Sequence, residues 1–242
     1  LLVASPEFRA LLSLQDHDTV IDQLRHRRDT LPERATRQAL LQRGQSLAAE
    51  RDVVAVQRDE VAVREAELEG DLAASEARIT QIDKRMYSGE VSASRDLQAM
   101  ADEIERLKSY CSKLEDQAIA ALDEREPLDI RVNEIEDQLR SIADEVDVAV
   151  AAIQAQEAEI DAELATEQSA RDGLAAGVPD ELLARYDGLR KKLGGVGAAS
   201  LNGPQCGGCH LTLPATEVDR LKREPADALI LCDQCGRILV RQ

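Results

Sequence analysis

From Leu40 to Ile82 one row of positions recurs every seven residues: Leu40, Leu47, Val54, Val61, Leu68, Ser75 and Ile82. Ala48, Ala55 and Ala62 lie beside it, and Leu72, Ile79 and Met86 complete the stripe. A second run is clearer. One row reads Leu97, Ile104, Cys111, Ala118, Arg125, Val132, Leu139, Val146, Ile153 and Ile160, and its partner reads Met100, Leu107, Leu114, Ala121, Leu128, Ile135, Ile142, Ala149, Gln156 and Glu163. Alternating steps of three and four residues put both rows on one helix face, and a heptad held this long implies a left-handed supercoil. Small residues beside the first row let antiparallel helices approach closely. The pattern predicts a mainly α fold, a long antiparallel coiled-coil hairpin.

Between the two runs lies Tyr87-Ser88-Gly89-Glu90-Val91-Ser92, the predicted tip, at about residues 87–94. The lengths on either side are matched, so each arm of roughly 80 residues reaches about 120 Å as helix.

The first arm opens at Ser5-Pro6-Glu7, with a cap residue, a proline at the first helical position and an acid at the positive end of the dipole. Ala10, Leu14, His17, Ile21, Leu24, Arg28 and Leu31 then form a seam. Within it His17 reads as a packed residue rather than a ligand. Leu31-Pro32 breaks the pattern, because proline lacks the amide donor and pushes its predecessor out of helical dihedrals. Either a separate first helix ends there or one arm kinks, and the matched arm lengths favour the kink. Pro127 predicts a second kink.

After Gly177-Val178-Pro179, the stretch Asp180 to Leu193 reads as an amphipathic helix with Leu182, Leu183, Tyr186, Leu189 and Leu193 on one face. Gly194-Gly195-Val196-Gly197 reads as a flexible joint. The expected organisation is a hairpin over 1–177, a connector helix and joint over 178–200, and a small module over 201–242.

That last module carries the chemistry. Cys206-Gly207-Gly208-Cys209 and Cys232-Asp233-Gln234-Cys235-Gly236 are two tight cysteine pairs. Each aims two thiolates at one point, and together they complete the tetrahedron of a closed structural zinc site. Cys206, Cys209, Cys232 and Cys235 are the expected ligands of one zinc ion, leaving His210 outside. Short strands are expected over 211–213, 228–231 and 237–240. Cys111 falls on the hairpin seam and reads as a buried apolar residue. Arg220, Lys222, Arg223, Arg237 and Arg241 offer a basic patch on the ribbon.

The formal net charge is −17, divided into −18 on residues 1–177 and +1 on 178–242. An arm of that sign repels phosphate backbones, so nucleic-acid contacts are confined to the ribbon. No apolar run reaches the roughly 20 residues of a membrane span, and the residues at the amino end do not read as a signal segment. Together with the zinc-type cysteine spacing this predicts a cytoplasmic protein that neither enters membranes nor takes a small-molecule substrate. No phosphate-binding loop, catalytic triad or open metal site is present, which predicts a non-enzymatic protein.

With these residues in hand, the chain resembles a bacterial family of zinc-ribbon proteins with a long coiled-coil hairpin. The resemblance rests on Leu11-x-x-Leu14-Gln15-x-x-Asp18 with Leu31-Pro32, on Tyr87-Ser88-Gly89-Glu90-Val91-Ser92, and on Cys232-x-x-Cys235-Gly236-Arg237-Ile238-Leu239. It implies a kinked hairpin with a zinc ribbon at its base. Some relatives are adaptors or chaperones that bind sigma-54, and one is linked to flagellin messenger RNA. Where the family tip continues Asn-Pro this chain has Ala93-Ser94, so Ser92 or Ser94 is the expected cap of the second arm. The Ala-, Arg- and Asp-rich composition points to an actinobacterial member.

Three readings of function follow. The favoured one is an adaptor or chaperone-like protein in transcription or RNA handling, docking a protein partner through the hairpin arm, with its acidic faces and with Tyr87, Ser88, Gly89, Glu90 and Val91 at the tip, and through the ribbon. The second is RNA binding through the ribbon's bases, and the third a structural spacer, monomeric or dimerised through its arms.

Overall fold

The computed structural model describes residues 4–241. Among these described residues, five helices and three short strands follow in the order α1 (Pro6–Asp29), α2 (Pro32–Tyr87), α3 (Ser94–Ala175), α4 (Asp180–Lys192), β1 (Ala198–Asn202), β2 (Gln205–Cys206), α5 (Ala215–Leu221) and β3 (Ile238–Arg241). They form two compact units. One is Thr36–Ala149; the other takes in the chain up to Ala35 and from Val150 onwards.

In the Thr36–Ala149 unit, α2 and α3 run antiparallel. Ion pairs tie them in register: Arg78 to Glu103 (3.1 Å), Arg64 to Glu124 (2.7 Å) and Arg131 to Glu50 (2.5 Å). Every residue of the two heptad rows of α3, from Leu97 to Ile160, is at least half-buried, and so is every residue of the Leu40–Ile82 row of α2. Glu163 is the exception. It is exposed, and Leu164 packs inward instead beside Ile153 and Ile160. The second row of α2 is unusual, because before Leu72 it consists of Gly44, Arg51, Arg58 and Glu65, all half-buried. Charge on this row is met by charge: Arg125, the one charged residue in the α3 rows before Glu163, pairs with Glu65. Cys111 is buried on the seam, as its position requires.

At the turn, α2 ends at Tyr87 and Gly89 takes φ +80°, in the left-handed region that favours glycine. Ser88 closes α2, its hydroxyl donating to the Arg85 carbonyl at 2.9 Å. The cap position of α3 falls on Ala93 rather than on Ser92 or Ser94, the Ala93 carbonyl accepting from the Asp96 and Leu97 amides.

In the other unit, α1 lies along the end of α3. His17 meets Glu167 (2.6 Å), Arg28 meets Asp161 (2.9 Å) and Arg34 meets Glu157 (2.5 Å). Residue numbers fall along α3 as they rise through α1 and into α2, so the chain does not reverse at Pro32. The helix stops at Asp29, leaves Thr30 and Leu31 outside, and restarts with Pro32 at its first position, where its missing amide costs nothing. Leu31 plugs the break, buried against Leu24, Ile153 and Ile160. Helix α3 runs through Pro127.

The amino-terminal half of α1 buries more than a seam. Phe8, Leu11 and Leu14 pack with Val178 and Tyr186, and with Ala198, Ile238 and Val240 of the sheet. On the same face Gln15 and Asp18 are buried although polar. The Gln15 side chain donates to the Gly195 carbonyl (2.9 Å) and accepts from the Gly197 amide (2.7 Å). Asp18 accepts from the Tyr186 hydroxyl (2.7 Å) and from Arg171 (3.3 Å), with Arg190 at 3.6 Å. Burial, then the Asp18 carboxylate, push the Tyr186 hydroxyl far above the ordinary tyrosine range, so it stays a donor. One polar cluster therefore fastens α1, α3, α4 and the segment before β1. This accounts for the Leu11-x-x-Leu14-Gln15-x-x-Asp18 pattern: two residues for the apolar core and two for the cluster.

The segment expected to be a flexible joint is packed. A Cβ on Gly197 would sit 2.8 Å from the Tyr186 carbonyl oxygen and 3.1 Å from the Arg190 amide nitrogen, so glycine here permits close approach. Directly after it runs β1, which holds the centre of the sheet, antiparallel to β2 and parallel to β3 (Ala198 opposite Ile238, Leu201 opposite Arg241). The module thus begins at β1, before residue 201. Of the expected strands only 237–240 is one, shifted to Ile238–Arg241; Thr212 and Leu231 contribute isolated bridges. No helix among the described residues is long and apolar enough to cross a membrane.

Candidate metal centre

The sheet separates two cores. Ala198, Ile238 and Val240 face α1, while Ala199, Leu201 and Leu239 face a second cluster with Leu213, Val218, Leu221 and Ile230. This is the period-two alternation of a strand buried on both sides. Cys206 and Cys232 belong to the second cluster, and Cys209 and Cys235 pack at its margin.

Each knuckle is shaped by backbone bonds. The Cys206 amide donates to the Leu211 carbonyl (3.1 Å) and the His210 amide to the Cys206 carbonyl (2.8 Å). In the second knuckle the Cys232 amide donates to the Arg237 carbonyl (2.8 Å) and the Gly236 amide to the Cys232 carbonyl (2.7 Å). Gly236 has φ +73°, the left-handed value expected of a residue after the last ligand. Gly208 has a different reason to be glycine, since a Cβ there would lie 2.9 Å from the Ala199 Cβ and 2.6 Å from the Arg237 Cδ.

The four Sγ atoms converge within 4.8 Å of one another. Cys206 to Cys235 is 3.9 Å, as is Cys209 to Cys232. A tetrahedron with zinc–sulfur bonds of about 2.3 Å has sulfur–sulfur edges of about 3.8 Å, so the donor set fits zinc. Burial pushes the Cys232 thiol up to about 12 and raises Cys206 as well. Burial also pushes Cys235 upward, but the Arg237 backbone and side chain and the neighbouring thiols outweigh it and bring it to about 7. A cation would hold all four as thiolates. His210 stands outside this group, exposed, at φ +58°.

Residues 14–194 match the CT398-like coiled-coil hairpin domain, and residues 205–239 match the C4-type zinc ribbon domain. The chain belongs to the CT398-like hairpin family. Relatives include uncharacterized proteins of two Mycobacterium tuberculosis strains, 28% identical over 96% of this chain and 94% of theirs. A solved structure from Mycobacterium smegmatis is similar at a TM-score of 0.71 and 25% identity, covering 99% of this chain and all of that one. The CT398 structure from Chlamydia trachomatis shares the fold (TM-score 0.53, 18% identity, 98% of each chain), as does the HP0958 protein of Helicobacter pylori (0.53, 15%, 100% of this chain and 99% of that one). In this CT398-like chain the four cysteines constitute a ribbon for one structural zinc.

The bases expected to form a patch on the ribbon of this family member are mostly committed elsewhere. Arg241 is a correction: it is buried, its guanidinium donating to the carbonyls of Leu221 and Glu224, both at 2.8 Å, and of Pro225. Arg237 donates to the Val196 carbonyl (3.1 Å) and the Leu193 carbonyl (3.4 Å). Arg220 pairs with Glu217 and Lys222 with Asp219. Among the described residues only Arg223 of the five has no ion pair or side-chain hydrogen bond. Sequence reasoning missed β1 because Ala-Ala-Ser carries no strand signal, and missed Gln15 and Asp18 as interior residues because they are polar.

Proposed function

We propose that the protein is a non-enzymatic adaptor that docks a protein partner through the turn of its hairpin. The observation that carries this reading is Tyr87, 81% exposed at the end of α2. The chain has three tyrosines, one phenylalanine and no tryptophan; Phe8 and Tyr186 are buried, and Tyr110 is less exposed than Tyr87. A tyrosine that only closed the coiled coil would lie against the seam. Exposed tyrosine is a typical interface anchor, and Ser88, Gly89 and Glu90 beside it are exposed as well. The closed four-thiolate site offers no open coordination position for catalysis, which supports a structural rather than an enzymatic role. Reduced zinc thiolates suit a cytoplasmic setting, and transcription or RNA handling is the process we assign. Direct RNA binding through the ribbon has weaker support, because most of its bases are already paired.

The test is photo-crosslinking in cells with a photoreactive amino acid at position 87, beside exposed control positions on α2 such as Glu60. A discrete adduct at 87 that is absent at the controls, and a partner whose binding falls about tenfold in Tyr87→Ala, is the expected result. Equal capture by wild type and Tyr87→Ala would overturn the reading.

A further inference from the structure

The unit that holds the ribbon carries a cleft that the adaptor reading does not use. It lies where α1 and α4 begin and where the loop before the second knuckle passes, with a volume of about 550 Å³, within the range of built binding sites. Phe8, Pro179, Leu182 and Leu229 supply apolar surface, and Leu229 is 46% exposed. The rim is acidic. Glu7, Glu181 and Asp227 line it against one cation, Arg185, and none of these four makes an ion pair among the described residues.

Glu7 and Glu181 stand in the first turns of α1 and α4, where carboxylates offset the positive helix ends. Asp227 has no such role. It sits in a loop, exposed, and lines the same opening with no ion pair among the described residues, whereas Glu7 has only a hydrogen bond from Ser5. A free cation would leave the apolar floor unused, and an apolar ligand would leave three carboxylates facing it. A peptide with a large apolar side chain between basic residues satisfies both.

We propose that this cleft docks a partner segment in which leucine-like side chains are flanked by Arg or Lys. The site shares no residue with the tip, so the two readings stand or fall separately.

The test uses the full zinc-loaded chain and fluorescein-labelled short peptides with a Leu-Leu pair flanked on both sides by Arg, with Asp replacing Arg in one control and Ser replacing Leu in another. Anisotropy should show saturable binding of the first peptide alone. Affinity should drop about tenfold or more in Glu181→Lys with Asp227→Lys and again in Leu229→Asp, with helical content and zinc stoichiometry unchanged. Leu229→Ala, the gentler change, should give a smaller drop in the same direction. Tyr87→Ala should leave peptide affinity as it is. Binding indifferent to the Glu181 and Asp227 reversals would mean that the peptide gathers on acidic surface elsewhere, and would overturn the proposal. Equal binding of the Asp control, no binding at all, or a dimer in sedimentation that Leu229→Asp dissociates would overturn it too.

Discussion

The hydroxyl of Tyr186 donates to the carboxylate of Asp18 across 2.7 Å, joining α4 to α1 in a place closed to water: Tyr186 is 0% and Asp18 2% exposed. Tyr186→Phe removes the donor and leaves a buried carboxylate short of one partner, at a cost of about 1–3 kcal/mol. Asp18→Leu should cost more, since it strands the buried Tyr186 hydroxyl and leaves Arg171 and Arg190 with Asp187 and Asp22 alone. Denaturant unfolding followed through both units separately checks the order.

The same pair sets a pH dependence. The folded Tyr186 hydroxyl titrates above its unfolded value of about 10, so its contribution is complete below that pH and declines as pH rises beyond it. The stability gap between wild type and Tyr186→Phe should therefore be constant from neutrality to about pH 10 and narrow above it. A gap that widens there would contradict the assignment.

Gly197→Ala places a methyl group against the Tyr186 carbonyl and the Arg190 amide of α4. Backbone cannot give way cheaply, and we expect about 1–3 kcal/mol of destabilisation. Gly70→Ala, where a Cβ meets nothing within 4 Å, should be neutral or slightly stabilising. Melting of the two variants side by side checks this.

Arg125→Leu should destabilise the hairpin by about 1–2 kcal/mol, because Glu65, with its side chain only 12% exposed, is left facing apolar surface. Replacing both residues with leucine should restore or exceed wild-type stability. A double-mutant cycle measures the coupling.

Zinc removal should act locally first. The cysteine cluster shares β1 and β3 with the core beneath α1, so chelation should speed hydrogen exchange over Ala198–Arg241 and then over α1. Amides of Thr36–Ala149 should keep their protection. Binding of order 10 kcal/mol is the folding energy of such a ribbon, and exchange of Ala198–Arg241 unchanged by a chelator would contradict it.

The sequence by itself determined what repetition and spacing can encode. Helical heptads bury the same face again and again, so the seam from Leu97 to Ile160 was legible residue by residue, and two Cys-x-x-Cys turns specify a four-thiolate cluster by local geometry alone. What depends on partners distant in the chain was decided by the tertiary structure. Ala198–Asn202 is a strand because β3 and α1 flank it, and Arg241 is interior because three carbonyls converge on it. Gly197 is rigid because α4 lies against it. Asp18 is buried because Tyr186, Arg171 and Arg190 arrive from more than 150 positions away to satisfy a charge that, read in α1 alone, belongs in water.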